Sequence, residues 1–125
     1  SAGVDNDNPN AAQFLLENLK RKEINQVQAI VGLYQDKDID QVFKILSPLV
    51  KTWHFPRLEL ERASSVEKLS HHLSHSCGLQ SDTYDKVADA YNAVIKLAED
   101  GDVILVFGSF SMVAAMLNHL DSKIN

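Results

Sequence analysis

The chain has a single cysteine, Cys77, so no disulfide can close within it, and a reducing, cytoplasmic setting fits that usage. No apolar run reaches the ~18 residues that a membrane span requires. The first residues lack the charged-then-apolar layout of a signal peptide, and residues 1–3 read as a cloning remnant without structural weight. Basic residues are outnumbered, 12 against 17 acidic, which gives a formal net charge of −5 with no basic block. Neither a nucleic-acid backbone nor an anionic membrane face is therefore a favoured partner. What remains is the composition of a water-soluble globular chain, 45% hydrophobic and 23% charged. Its 125 residues suffice for one domain, spanning residues 1–125, with a sizeable core.

Apolar spacing and turn residues divide the chain. Asn8 and Pro9 start a helix in which Ala12, Leu15, Leu16 and Leu19 recur at helical intervals. Residues 27–32 (VQAIVG) are short, β-branched and apolar, which predicts a buried strand. Asp38 can cap a helix facing inward through Ile39, Val42, Phe43 and Leu46, and Pro48 ends it. Residues 49–55 (LVKTWHF) read as a strand closed by Pro56. Ser64, Ser65, Val66 and Glu67 have the spacing of a capping box, ahead of a helix with Val66, Leu69 and Leu73 on one stripe and Gly78 as its stop. Ser81 or Asp82 is expected to cap a longer helix carrying Tyr84, Val87, Ala88, Tyr91, Val94, Ile95 and Ala98. Residues 103–107 (VILVF) form the clearest buried strand, and a last helix is expected with Val113, Met116, Leu117 and Leu120 inward. Strands alternating with helices predict an α/β fold, a doubly wound and mainly parallel sheet with helices on both faces. Only three strands are evident, and the pattern opens on a helix.

Open parallel sheets bind ligands beyond the carboxyl ends of their strands. Three segments fall there: 34–38, 55–62 and 108–111. In the first, Lys37 can pair with a substrate carboxylate, while Asp36 and Asp38 can hold an amino group or orient the lysine. The plainer alternative is Asp38 as a helix cap beside two solvated charges. Gly108 and Ser109 join a strand to a helix, where close backbone and free N–H groups suit an anion, or where a serine simply caps. His71, His72, His75 and Cys77 cluster, with His71 and His75 one helical turn apart. They lack a Glu between the histidines and a second cysteine, so a solvated helix face is preferred to a metal site, and no metal ligands are assigned. His54 and His119 read as structural. No Ser-His-Asp order and no Walker lysine loop are present.

Three segments, in order, resemble the C-terminal domain of folylpolyglutamate synthase/dihydrofolate synthase in the Mur ligase superfamily. Residues 8–12 (NPNAA) resemble the end of the family's Asp-x-Ala-His-Asn-Pro-x-Ala segment. Residues 32–39 (GLYQDKDI) are similar to its Gly-x-x-x-Asp-Lys-Asp loop. Residues 106–110 (VFGSF) are similar to its strand ending in Gly-Ser-Phe, followed by Val113 and Ala114. Residues 48–53 and 62–64 also match, so the resemblance covers nearly the whole chain.

The resemblance implies a Rossmann-like domain of an ATP-dependent ligase that joins glutamate to a folate through an acyl phosphate. ATP and magnesium would act in the full-length enzyme, with none held tightly by this domain. The phosphate-binding loop would lie in an N-terminal domain outside these residues, so the chain alone should be inactive. Its partners would be that domain and the small molecules L-glutamate, folate and ATP. Asp36, Lys37, Asp38 and Ser109 would line the glutamate side of the cleft, and Asp5, Asp7 and Asn8 the nucleotide side. The chain departs from the family pattern at one end. The family histidine falls on Asp7, and its nucleotide-contacting aspartate falls on Val4, or on Asp5 with a one-residue deletion. Two other readings stay open: a Mur-type peptidoglycan ligase domain, and a doubly wound module without catalysis.

Overall fold

The computed structural model describes residues 2–4, 9–24, 26–35 and 38–108. Its elements run β1 (Ala2–Val4), α1 (Pro9–Arg21), β2 (Val27–Gly32), α2 (Ile39–Leu46), β3 (Val50–Pro56), α3 (Val66–Cys77), β4 (Asp82–Tyr84), α4 (Val87–Leu97) and β5 (Val103–Gly108). The five strands form one sheet in the order β1-β5-β2-β3-β4, and every neighbouring pair is parallel. The expected α/β, doubly wound architecture is present.

Strand alternation sorts the two faces. Val27, Ala29 and Val31 of β2, Trp53 and Phe55 of β3, and Leu105 and Phe107 of β5 meet α1, α2 and α3 in one core. Ile30, Ile104 and Val106 point the other way, toward Ala90 and Val94 of α4. The inner strands β2 and β5 are covered on both faces, so they read as apolar runs broken only by Gln28. The helix signals also hold. Asp38 caps α2 by accepting from the Gln41 N–H at 3.3 Å. At α3 the cap falls one residue later than the Ser64–Glu67 spacing placed it: Ser65 accepts from the Lys68 N–H, while Ser64 Oγ stays unpaired, and Gly78 ends α3 in the left-handed region as expected. Along α1, Ala12, Leu15, Leu16 and Leu19 are buried as their spacing predicts.

Two expectations are corrected. The sheet opens on a strand, not a helix: Ala2–Val4 pairs with β5 in the register Ala2↔Leu105, Gly3↔Val106, Val4↔Phe107. Three small residues carry too little periodicity to announce a strand, so their backbone pairing decides. The long helix from Ser81 or Asp82 does not exist either. Residues 82–84 form β4 against the end of β3, and the helix starts at Val87. Tyr84 sits at helical spacing from Val87 and Tyr91, but a hydrogen bond to His54 holds it to the sheet. Ile95, one of the apolar residues named for that helix, is 46% exposed. The expected last helix lies outside the described residues.

A polar chain crosses the sheet beneath α4. Tyr84 Oη lies 2.8 Å from His54 Nδ1, and His54 Nε2 lies 2.8 Å from Thr52 Oγ1. Thr52 donates to Gln28 Oε1 at 2.8 Å, and Gln28 Nε2 donates to Asp102 Oδ2 at 2.9 Å. The single hydroxyl hydrogen of Thr52 is thus committed to Gln28. Its oxygen must accept from His54, which places the imidazole hydrogen on Nε2 and leaves Nδ1 to accept from Tyr84. Every donor points toward Asp102. Hydrogen bonds from the Glu99 N–H and Gln28, aided by Lys51, hold that carboxyl below its usual pKa against the opposing effect of burial.

Burial depresses the His54 pKa below 6.5, partly opposed by the Asp82 carboxylate, and His54 is fully buried. An unfolded chain therefore binds this proton more readily than the folded one. The resulting stability is complete above pH 6.5 and falls as pH drops below that value. Denaturant midpoints measured from pH 7.5 to 5.5 are expected to decline in the wild type, with a shallower slope in His54→Gln.

Candidate functional site

The carboxyl ends of the strands gather the segments that the sequence marked. Gly32 of β2 is in register with Gly108 of β5. Gly108 has φ +145, and a Cβ there would lie 1.8 Å from the Gly32 carbonyl oxygen. Only glycine permits this approach. The loops leaving β2 and β5 therefore start side by side at one edge of the sheet.

The loop after β3 joins them. Tyr34 and Ala63 form an antiparallel bridge just past the parallel sheet. Around it, the Gln35 N–H donates to Arg62 O at 2.8 Å and the Ser64 N–H to Leu33 O at 2.8 Å. The Gln35 side-chain amide donates to Glu61 O and Ala63 O, both at 3.2 Å. Above the bridge, the Arg62 guanidinium stacks 4.5 Å from the Tyr34 ring centroid. Ser64 Oγ is buried at this rim with no hydrogen-bond partner. On the far side of the β2–α2 loop, His72 Nδ1 of α3 lies 2.8 Å from Asp40 Oδ1, in the first turn of α2.

Of the residues singled out from sequence, Asp38 is placed at this edge. It is exposed, and its Oδ1 caps α2. Asp36, Lys37 and Ser109 lie outside the described residues, as do Asp5, Asp7, Asn8 and His119. His71 and His75 stack with centroids 5.9 Å apart, and His72, edge-on to His71 at 6.2 Å, pairs its Nδ1 with Asp40. Among the described residues no three His, Cys, Asp or Glu side chains gather as a metal donor set. Tyr34 and Gln35 fell within the marked segment 34–38 and Ser64 within the expected capping box, but none was assigned a site role, because what places them is pairing between two segments nearly 30 positions apart. Among the described residues no helix is long and apolar enough to cross a membrane.

Comparison with known proteins agrees with this layout. Residues 5–110 match the family model described as Mur ligase, glutamate ligase domain. A dihydrofolate synthase/folylpolyglutamate synthase from Haemophilus influenzae is 38% identical over 111 residues, covering 86% of this chain and 25% of that protein. The structure of E. coli FolC in complex with DHPP and ADP superposes with a TM-score of 0.87 at 31% identity, covering 98% of this chain and 29% of the other. A bifunctional folylpolyglutamate synthase/dihydrofolate synthase with Mn, AMPPNP and L-glutamate bound superposes at 0.83 with 32% identity, over 94% of this chain and 28% of that one. The chain thus spans about a quarter of the length of the curated relatives it matches.

Proposed function

Since the chain belongs to the Mur ligase glutamate ligase domain family, we propose that it is the C-terminal domain of an ATP-dependent ligase that adds L-glutamate to a folate. The observation that carries this reading is the Gly32–Gly108 register. It ends β2 and β5 side by side, and these are the strands that Asp36–Asp38 and Ser109 follow in the sequence. The relatives named above favour the folate branch over a muramyl substrate.

In this reading Lys37 pairs with a carboxylate of the incoming glutamate. Asp36 and Asp38 attract its ammonium and keep the lysine oriented, and Ser109 adds a donor from the facing turn. Ser64 Oγ, buried and unpaired, adds a hydroxyl to the same rim for a polar atom of the ligand. Asp5, Asp7 and Asn8 lie toward the nucleotide. ATP with its metal supplies phosphoryl activation of the folate carboxylate from the remainder of the enzyme, and the residues of this domain position the attacking amine. Asp7 sets a carboxylate where the family pattern has a histidine, so this domain's hold on phosphate is weak.

Incubated with ATP, glutamate and a reduced folate, the chain alone is expected to show no turnover, and the full-length protein robust turnover. In the full-length protein, Lys37→Ala is expected to raise KM for glutamate about 10- to 100-fold, the worth of one charge-assisted hydrogen bond. The KM for ATP should change little. Turnover by the chain alone, or an unchanged glutamate KM, would refute the assignment.

A further inference from the structure

The outer border of β3 is only half covered. β4 pairs with His54, Phe55 and Pro56, so Lys51, Thr52 and Trp53 have no partner in β4. Lys51 also lacks a counterpart on β2, where the register steps from Val27↔Val50 to Gln28↔Thr52. Beside this open stretch lies a cleft of about 200 Å³, lined by Lys51, Thr52 and Trp53 on one wall and by Gln80, Ser81 and Asp82 on the other. Its volume exceeds the ~150 Å³ of an internal cavity that accepts benzene. The cleft sits toward the amino end of β3, away from the rim at the carboxyl ends of the strands.

The polar groups of the cleft divide into committed and uncommitted ones. Thr52 donates to Gln28 at 2.8 Å, and Ser81 Oγ lies 2.8 Å from Ser70 Oγ. Trp53 is buried, and its indole N–H has no hydrogen-bond partner, a state that calls for an acceptor. Lys51 Nζ lies 3.7 Å from Glu99 Oε1 and 3.9 Å from Asp102 Oδ2, beyond hydrogen-bond length, so its hydrogens stay available. Asp82 is exposed and makes no hydrogen bond or ion pair among the described residues. Donors therefore stand on the β3 wall and a carboxylate on the opposite one. A simple anion suits Lys51 but is repelled by Asp82, and a simple cation meets the reverse. We propose that this cleft binds a small zwitterion, a free α-amino acid, with its carboxylate on Lys51 and the Trp53 N–H and its ammonium on Asp82. The site is separate from the rim and does not depend on the glutamate reading above.

With one tryptophan, the chain gives a single indole N–H resonance, which reports on the cleft directly. Glycine, which carries both charged groups and no side chain, is expected to shift this resonance saturably, with half-saturation in the millimolar range. Acetate and methylammonium each carry one of the two charges. Each should bind at least about tenfold more weakly, the loss of one charge-assisted hydrogen bond. Lys51→Gln and Asp82→Asn should each weaken glycine by about the same factor, and Lys51→Arg, which keeps the cation, should stay within about threefold of wild type. Absence of a saturable shift with glycine up to about 100 mM, well above the range of weak ligands, overturns the site. Equal binding of acetate or methylammonium overturns the zwitterion in favour of a simple ion. Glycine binding unchanged in both Lys51→Gln and Asp82→Asn overturns its placement in the cleft.

Discussion

Replacing Gly108 with alanine is expected to cost at least about 3–5 kcal/mol, enough to unfold a large share of a marginally stable chain. Two separate effects combine at this position. The backbone adopts φ +145, which a side chain rarely tolerates, and the added Cβ would lie 1.8 Å from the Gly32 oxygen. Relief requires β5 and β2 to part at their carboxyl ends, which breaks the register between Gly32 and Gly108 and pulls the two site loops apart. Gly78 provides the comparison. It also has positive φ, at +68, but nothing lies within 4 Å of its virtual Cβ. Gly78→Ala should therefore cost only the backbone strain, about 1–2 kcal/mol. Urea midpoints of both variants give the contrast, and equal losses would show that the close approach at Gly108 is unimportant.

Phe43→Ala is expected to lose about 3–5 kcal/mol, as a large buried ring gives way to a cavity that its neighbours fill only in part. Phe43 is fully buried on α2 and joins two aromatic neighbours from β3. Its ring meets Trp53 edge-on at 5.1 Å and 73°, and stacks on Phe55 at 5.6 Å and 23°. Each such pair contributes about 0.5–1.5 kcal/mol beyond area burial. Trp53 is the sole tryptophan, so its fluorescence reports the transition directly. A fall in the urea midpoint with an unchanged slope is the expected result. A loss under about 1.5 kcal/mol would mean that α2 closes onto the sheet without the ring.

Much of this fold was legible in the sequence, and the reason differs by element. VQAIVG and VILVF were readable because inner parallel strands are covered on both sides and favour apolar residues, Gln28 being the one polar exception, with both ends of its amide paired. The helices of the larger core were readable because Asp38, Ser65 and Gly78 end them by local chemistry. The edge strands were not. Ala2–Val4 and Asp82–Tyr84 are three residues each, and a strand at a border is defined by its neighbour's backbone, which no short window of sequence contains. Tyr84 misled for a related reason, since its spacing fits a helix while its hydroxyl serves His54. His54 was rightly read as structural, but its chain to Gln28 and Asp102 spans three strands and a turn and has no local signature. At the candidate site, the glycines and the charged loop stood out as composition. Gln35 did not, because a glutamine among polar residues is unremarkable until its carbonyl partners are known.

The strand order carries a consequence for synthesis. β5 is the last described strand to leave the ribosome, yet it lies between β1 and β2, the first two described strands. Until residue 108 emerges, β1 has no neighbour to pair with and one border of β2 stands open. The nascent domain must wait with an apolar seam exposed, so its maturation should be gated by translation of β5 and should depend on chaperone shielding in the interval.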